Sequence, residues 1–256
     1  MSHPPHGPLS DRTAVVTGAG GGLGRAVARA LARSGARVAC GDLDGQASSE
    51  TAQGIVSDGG TALSWQVDVT DAAAVQGWRD EVTTRLGPAS IIVNVAGAID
   101  RRLLLDLDHD AFMRAVDVNL GGPYAVIRAF AQDLLDRGNG RIVNVASVAG
   151  LTGYPCPSYA ASKAGLVNLT RSLLTDFWGT GITVNAVCPG AMDTAMFNSA
   201  QIPEMARRSP AGRIVTLDEV AATVEFLCQD AAAGVNGVAL PVDGGATAVI
   251  KYFDNE

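Results

Sequence analysis

The sequence predicts a doubly wound α/β domain, a seven-stranded parallel sheet with helices on both faces, and three observations predict it. From Thr13 onward, short runs rich in Val and Ile alternate with longer Ala-rich stretches of helical period, the pattern of strands that cross over through helices. The strand runs are apolar almost throughout, as strands covered on both sides are. No repeat, low-complexity linker or second composition regime divides the 256 residues, and a hydrophobic content of 47% is ample for one large core.

The elements follow in order. "TAVVTG" reads as the first strand, its β-branched residues suiting a pleated surface and Gly18 ending the run. "LGRAVARALARSG" is the first helix, and "ARVACGD" the second strand. "GQASSETAQGIVSDG" and "DAAAVQGWRDEVTTRLG" are helices on either side of the third strand, "ALSWQVDV". "SIIVNVAG" is the fourth strand, and one long helix is expected over "HDAFMRAVDVNLGGPYAVIRAFAQDLLDRG". "GRIVNVAS" is the fifth strand, "SYAASKAGLVNLTRSLLTDFWG" a helix, and "GITVNAVCPG" the sixth strand. The segment from Met192 to about Arg213 has weak periodicity, after which "LDEVAATVEFLCQD" and "GVALPVDGG" supply the last helix and strand. "MSHPPHGPLSDR" lacks the apolar centre of a signal peptide. Residues 1–10 are therefore expected as a flexible tail, and 11–256 as a single nucleotide-binding catalytic domain.

Composition excludes several function classes. A net charge of −7 argues against nucleic-acid and charged-lipid partners, which draw on clustered Lys and Arg. The four cysteines lie far apart without a CxxC pair, so neither a zinc site nor a disulfide framework is expected, and a reducing, cytoplasmic setting fits. No apolar run reaches the roughly 18 residues of a membrane span. The acidic run "DLDHD" before a helix is read as complementing the helix N-terminus rather than holding a metal.

In such sheets ligands sit beyond the carboxyl ends of the strands, and there the unusual residues collect. "TGAGGGLG", residues 17–24, joins the first strand to the first helix. Gly18, Gly22 and Gly24 permit close backbone approach, and the helix aims its N-terminal amides at an anion, so the turn reads as a pyrophosphate seat. Asp42, 18 residues beyond Gly24, ends the second strand. A carboxylate there accepts both hydroxyls of an adenosine ribose and repels a 2′-phosphate, which favours NAD over NADP. Asp44 is placed to start the next helix. Asp68 in "VDV" is placed either to meet the adenine edge or to cap a turn. Tyr159 and Lys163 stand four residues apart in "SYAASKAG", on one helical face.

Taken together, these pieces resemble the classical short-chain dehydrogenase/reductase family, over residues 10 to 247. The resemblance rests on TGxxxGxG at Thr17–Gly24, "VDV" at 67–69, "NVAG" at 94–97 and "VN" at 118–119. It continues through "NVASVAG" at 144–150, YxxxK at 159–163, "PGAMDT" at 189–194 and "VDGG" at 242–245. It implies a Rossmann-type fold and a tetrad of Asn119, Ser147, Tyr159 and Lys163. Tyr159 would be the base for a carbinol proton. A phenol near pKa 10 is a poor base at neutrality, so the Lys163 ammonium and a positive nicotinamide ring are expected to depress it. Ser147 would hold the substrate oxygen, Lys163 would also bind the nicotinamide ribose, and Asn119 would mark a helix kink whose carbonyl serves a proton relay. Small residues Ala160, Ala161 and Ser162 would keep the helix face open to the ligand. Cofactor contacts are implied for Gly18, Gly22, Leu23, Gly24, Asp42, Leu43, Asp68, Val69, Asn94, Ala96, Gly97, Tyr159, Lys163, Pro189, Gly190, Met192 and Thr194.

Two departures stand out: Val95 replaces the second Asn of the usual motif, and the 12-residue step from Ser147 to Tyr159 is one shorter than is usual. The second bears on pocket shape, with Pro155 and Pro157 stiffening the path. The expected activity is hydride transfer between NAD and a secondary alcohol or ketone, without a metal. A 3-oxoacyl thioester reductase and a non-catalytic nucleotide-binding protein are the alternatives. Leu151, Tyr154, Cys156, Met192, Met196 and Phe197 suggest a neutral, apolar substrate, with Arg101 and Arg102 read as solvated loop charges. A homotetramer is implied, built on the helices beginning near His109 and Ser158.

Overall fold

The protein was analysed as a computed structural model, which describes residues 7–194 and 199–249. Every apolar run expected as a strand is one. They are β1 (Thr13–Thr17), β2 (Arg37–Asp42), β3 (Thr61–Gln66), β4 (Ile91–Asn94), β5 (Arg141–Val145), β6 (Thr183–Pro189) and β7 (Ala239–Val242). All are parallel and form one sheet in the order β3-β2-β1-β4-β5-β6-β7. The order reverses between β1 and β4, and such a switch point opens a crevice at the carboxyl edge. Register sets Thr17 beside Asn94, and Asn94 beside Asn144, at that edge.

Side chains alternate across the sheet, and each face has its own core. Ala14 and Val16 face one cluster with Leu23, Val27 and Leu31 of α1 (Gly22–Arg33), Ile55 of α2 (Gly45–Ser57) and Val220, Val224 and Leu227 of α8 (Leu217–Cys228). Val15 faces the other, with Val75, Trp78 and Val82 of α3 (Ala72–Leu86) and Val126, Phe130 and Leu134 of α5 (Gly122–Arg137). Trp78 meets Phe130 edge to face with centroids 5.6 Å apart. Asp44 and Asp71 each accept two backbone N–H groups, and Asp108 one, at the starts of α2, α3 and α4 (His109–Val116), which supplies partners that first-turn amides lack.

Three expectations are revised. The long helix from His109 is interrupted: α4 ends at Val116, a π-helical turn covers Asp117–Gly121, and α5 resumes at Gly122. The helix from Ser158 begins at Pro157 and ends at Ser172, as α6, with turns beyond it. The tail does not extend to residue 10. Leu9 is fully buried in the α1-side core and its N–H donates to the Ser34 carbonyl, because an apolar side chain beside a helix end gains more by packing than by solvation. The weakly periodic segment contains a short helix, α7 (Ile202–Arg208).

Candidate active site

The carboxyl ends of β1 to β6 and their following loops line one cavity of about 580 Å³. In sheet order its wall runs from Asp68 and Val69 after β3, through Asp42, Leu43 and Asp44 after β2, to Gly18, Gly22, Leu23 and Gly24 after β1. It continues through Ala96 and Gly97 after β4 and Ser147 after β5 to Pro189, Gly190, Met192 and Thr194 at the end of β6, with Tyr159 and Lys163 reaching in from α6. Of the expected catalytic and cofactor-contact residues, Asn94 and Asn119 lie outside this lining, as do Leu151, Tyr154 and Cys156 of the expected substrate pocket. Asn94 is buried, and its amide donates to Asn144 Oδ1 at 2.9 Å, so it ties β4 to β5 behind the wall. Asn119 is likewise buried, in the π turn.

The glycine-rich turn has the features of an anion seat. Its helix starts without any side-chain cap, so the first-turn amides remain for a ligand. A Cβ at Gly24 would fall 1.9 Å from the Gly18 carbonyl oxygen, so only glycine lets the helix sit on the turn. Asp42 holds this geometry from the neighbouring strand: one carboxylate oxygen accepts the Gly20 N–H at 2.8 Å and the other the Asp44 N–H at 2.9 Å. Each oxygen retains a second lone pair for a ribose hydroxyl. Asp68 lines the cavity and also caps its own turn, accepting from the Thr70 N–H and hydroxyl. Thr17, not singled out above as a contact residue, accepts the N–H groups of Val95 and Ala96 through its hydroxyl and so fixes the loop after β4. A cavity of this volume, lined by an uncapped helix start and a fixed acid, fits a dinucleotide.

On the α6 side, Ser147 starts a short 3₁₀ turn, Val148–Gly150, its hydroxyl accepting the Ala149 N–H at 3.1 Å. Gly150 packs so closely on α6 that a Cβ there would lie 2.7 Å from the Lys163 carbonyl group. The Ser147 hydroxyl hydrogen-bonds the Tyr159 phenol. Lys163 is buried and donates to the Val145 carbonyl at 2.8 Å, with Nζ 5.8 Å from the Tyr159 ring centroid. Burial lowers the Lys163 pKa to about 8. The expected depression of Tyr159 is not what these residues produce: burial pushes the phenol up, the Ser147 hydrogen bond and the Arg101 charge oppose this, and Tyr154 and Cys156 add to it. Desolvation wins because a half-buried phenolate loses more hydration than a single neutral hydroxyl returns.

The segment between Ser147 and Tyr159 holds one residue in a strained backbone conformation. Cys156 stands at φ 110°, ψ 75°, immediately before Pro157 and the first turn of α6, a conformation that costs a residue with a Cβ on the order of 1–3 kcal/mol. Arg102 pairs with Asp100 and Asp108. Arg101, expected as a solvated charge only, acts electrostatically on both Tyr159 and Cys156. Met196 and Phe197 lie outside the described residues.

Fold and site together define a dinucleotide-binding protein of the doubly wound class. Residues 18–247 match the family described as Enoyl-(Acyl carrier protein) reductase. The chain is 38% identical to 2-(S)-hydroxypropyl-CoM dehydrogenase 3 of Xanthobacter autotrophicus, over 94% of this chain and 98% of that one. It is 39% identical, over the same shares, to cis-4-hydroxycyclohexanecarboxylate dehydrogenase of Sinomonas cyclohexanicum. Among solved structures it superposes on a gluconate 5-dehydrogenase of Burkholderia cenocepacia in complex with NADP and tartrate, with a TM-score of 0.90 and 33% identity over 94% of this chain and 97% of that one. The chain belongs to the short-chain dehydrogenase/reductase family, and its activity is that of an NAD(P)-dependent oxidoreductase on CH–OH groups.

Proposed function

We propose that the protein interconverts a secondary alcohol and a ketone with NAD(H). The observation that carries this is the convergence of the Tyr159 phenol, the Ser147 hydroxyl and the Lys163 ammonium on the wall of the same cavity that holds the glycine-rich turn. Bound nicotinamide would supply the hydride acceptor or donor and, when oxidised, a positive charge. Tyr159 exchanges the carbinol proton, Ser147 holds the reacting oxygen, and Lys163 orients the nicotinamide ribose. With its pKa raised, the phenol rests protonated, ready to give its proton to a ketone oxygen. Oxidation of an alcohol instead requires the phenolate, so the oxidised cofactor's charge would carry the depressing role that the resemblance shares between it and the Lys163 ammonium.

NAD is favoured because three carboxylates, Asp42, Asp44 and Asp68, line the cavity beyond β2 and β3, where a 2′-phosphate would meet repulsion. The gluconate relative solved with NADP makes the nucleotide a property to be read from each chain's own residues. Comparison of specificity constants for NAD and NADP tests this; about tenfold in favour of NAD, some 1.4 kcal/mol, is expected. Equal use would revive the 3-oxoacyl thioester reductase alternative, and no turnover of any alcohol or ketone would leave a non-catalytic nucleotide-binding protein.

For the substrate, the half-exposed Leu151 and Tyr154 beside buried Cys156 support a neutral, apolar molecule. A second reading, an alcohol bearing an anion, is favoured by the Arg101 charge reaching Tyr159 and by relatives named for a carboxylate and crystallised with tartrate. Kinetics with paired neutral and carboxylate-bearing alcohols decide between them. A homotetramer is proposed, supported by the exposed Tyr124 on α5 and Trp178 after α6; a monomer at micromolar concentration in sedimentation would contradict it. Among the described residues no helix is long and apolar enough to cross a membrane, and the four buried free cysteines suit the proposed cytoplasmic setting.

A further inference from the structure

Ser162 lies between Tyr159 and Lys163 in sequence and is 1% exposed. Its hydroxyl donates to the Tyr159 carbonyl at 2.8 Å, an ordinary bond for a serine inside a helix. The same oxygen accepts from Asn119 Nδ2 at 3.0 Å, which is not a local contact: Asn119 belongs to the π turn, 43 residues away. Asn119 otherwise grips a third element, the loop after β4. Its Oδ1 accepts the Ala98 N–H and its Nδ2 donates to the Ala98 carbonyl, both at 2.8 Å. An amide has two donor hydrogens, and here both are engaged, one on Ala98 and one on Ser162.

Three elements therefore meet on two side chains, and the space between them is tight. A Cβ at Gly97 would fall 3.0 Å from Asn119 Oδ1 and 3.4 Å from Lys163 Nζ, so both groups lie close to the face of that glycine. The expectation that Ser162 serves only as a small residue leaving room for ligand does not account for this bridge.

We propose that Ser162 is a positioning residue: its hydroxyl locks Asn119, and with it the π turn and the Gly97–Ala98 loop, to the helix that carries Tyr159 and Lys163. The inference rests on the dehydrogenase reading of the site. In Ser162→Ala the Nδ2 donor loses its partner while the helix, the cavity lining and the four tetrad residues all remain. Steady-state kinetics with the alcohol that the wild type turns over best, the pH profile of kcat/KM, and NADH binding by fluorescence form the test. The expected result is a kcat lower by about tenfold and a basic-limb midpoint moved by about half a pH unit. NADH affinity should stay within about twofold, and Ser162→Thr, which keeps the hydroxyl, should restore most of the rate. A purely structural serine would lower the melting temperature and leave kcat and the pH midpoint where they were, and that result overturns the proposal. If Ser162→Ala does not fold, Ser162→Cys, with a weaker donor and acceptor, should give an intermediate loss; wild-type kcat and midpoint in a folded Ser162→Cys would overturn it equally. A wild type that turns over no alcohol or ketone sinks the dehydrogenase reading itself, and the inference with it.

Discussion

Lys163→Met should change how stability depends on pH, and the size of the change follows from burial. Lys163 is 3% exposed, and burial lowers its pKa from 10.5 to about 8. A lysine depressed on folding holds its proton more tightly in the unfolded chain. The native state is therefore penalised below pH 8, and the penalty fades as pH rises toward 10.5. The gap, 10.5 − 8, or 2.5 units, corresponds to about 3 kcal/mol. Of this, roughly 2.5 kcal/mol is recovered between about pH 7 and pH 10. Urea unfolding of wild type and variant across that range provides the assay. Subtracting the two curves cancels groups that do not interact with Lys163, such as Cys228, which burial pushes up to about 12. The lost bond to the Val145 carbonyl offsets the variant by a near-constant amount. The difference should move in favour of the wild type by about 2.5 kcal/mol as pH rises. A difference flat to within about 0.5 kcal/mol would show that Lys163 is not held in the dry environment the structure gives it.

Other outcomes are expected at the same site. Tyr159→Phe should abolish turnover and keep NADH binding, and activity above a few per cent of wild type, roughly a loss of less than 2 kcal/mol, would remove the phenol from the mechanism. Because burial raises the Tyr159 pKa, alcohol oxidation should rise with pH through the alkaline range and ketone reduction should fall; parallel profiles would count against proton exchange by this group. Asp42→Ala should narrow the NAD to NADP ratio mainly by impairing NAD, since the carboxylate holds the Gly20 N–H and is proposed to meet the ribose; an unchanged ratio in nucleotide titrations would free Asp42 of that role. Gly24→Ala, whose Cβ would lie 1.9 Å from the Gly18 carbonyl oxygen, should weaken nucleotide binding by more than about tenfold, and calorimetry showing wild-type affinity would mean that the turn tolerates displacement.

Much of this protein was legible in one dimension. Seven apolar runs became seven strands, and the glycine spacing, Asp42, Ser147, Tyr159 and Lys163 were all brought to one cavity. Hydrophobic period and glycine spacing are local properties, and a parallel sheet with crossovers has few ways to arrange such segments, so the chain's own pattern sufficed for topology and for the carboxyl-edge position of the site. The rest depended on which distant segments touch. That Asn94 bonds its register partner Asn144 follows only from the pairing of β4 with β5. Ser162 reads as a spacer until the π turn brings Asn119 against it. The direction of the Tyr159 shift required the balance of desolvation against nearby dipoles and charges, a sum over three-dimensional neighbours that no spacing along the chain encodes.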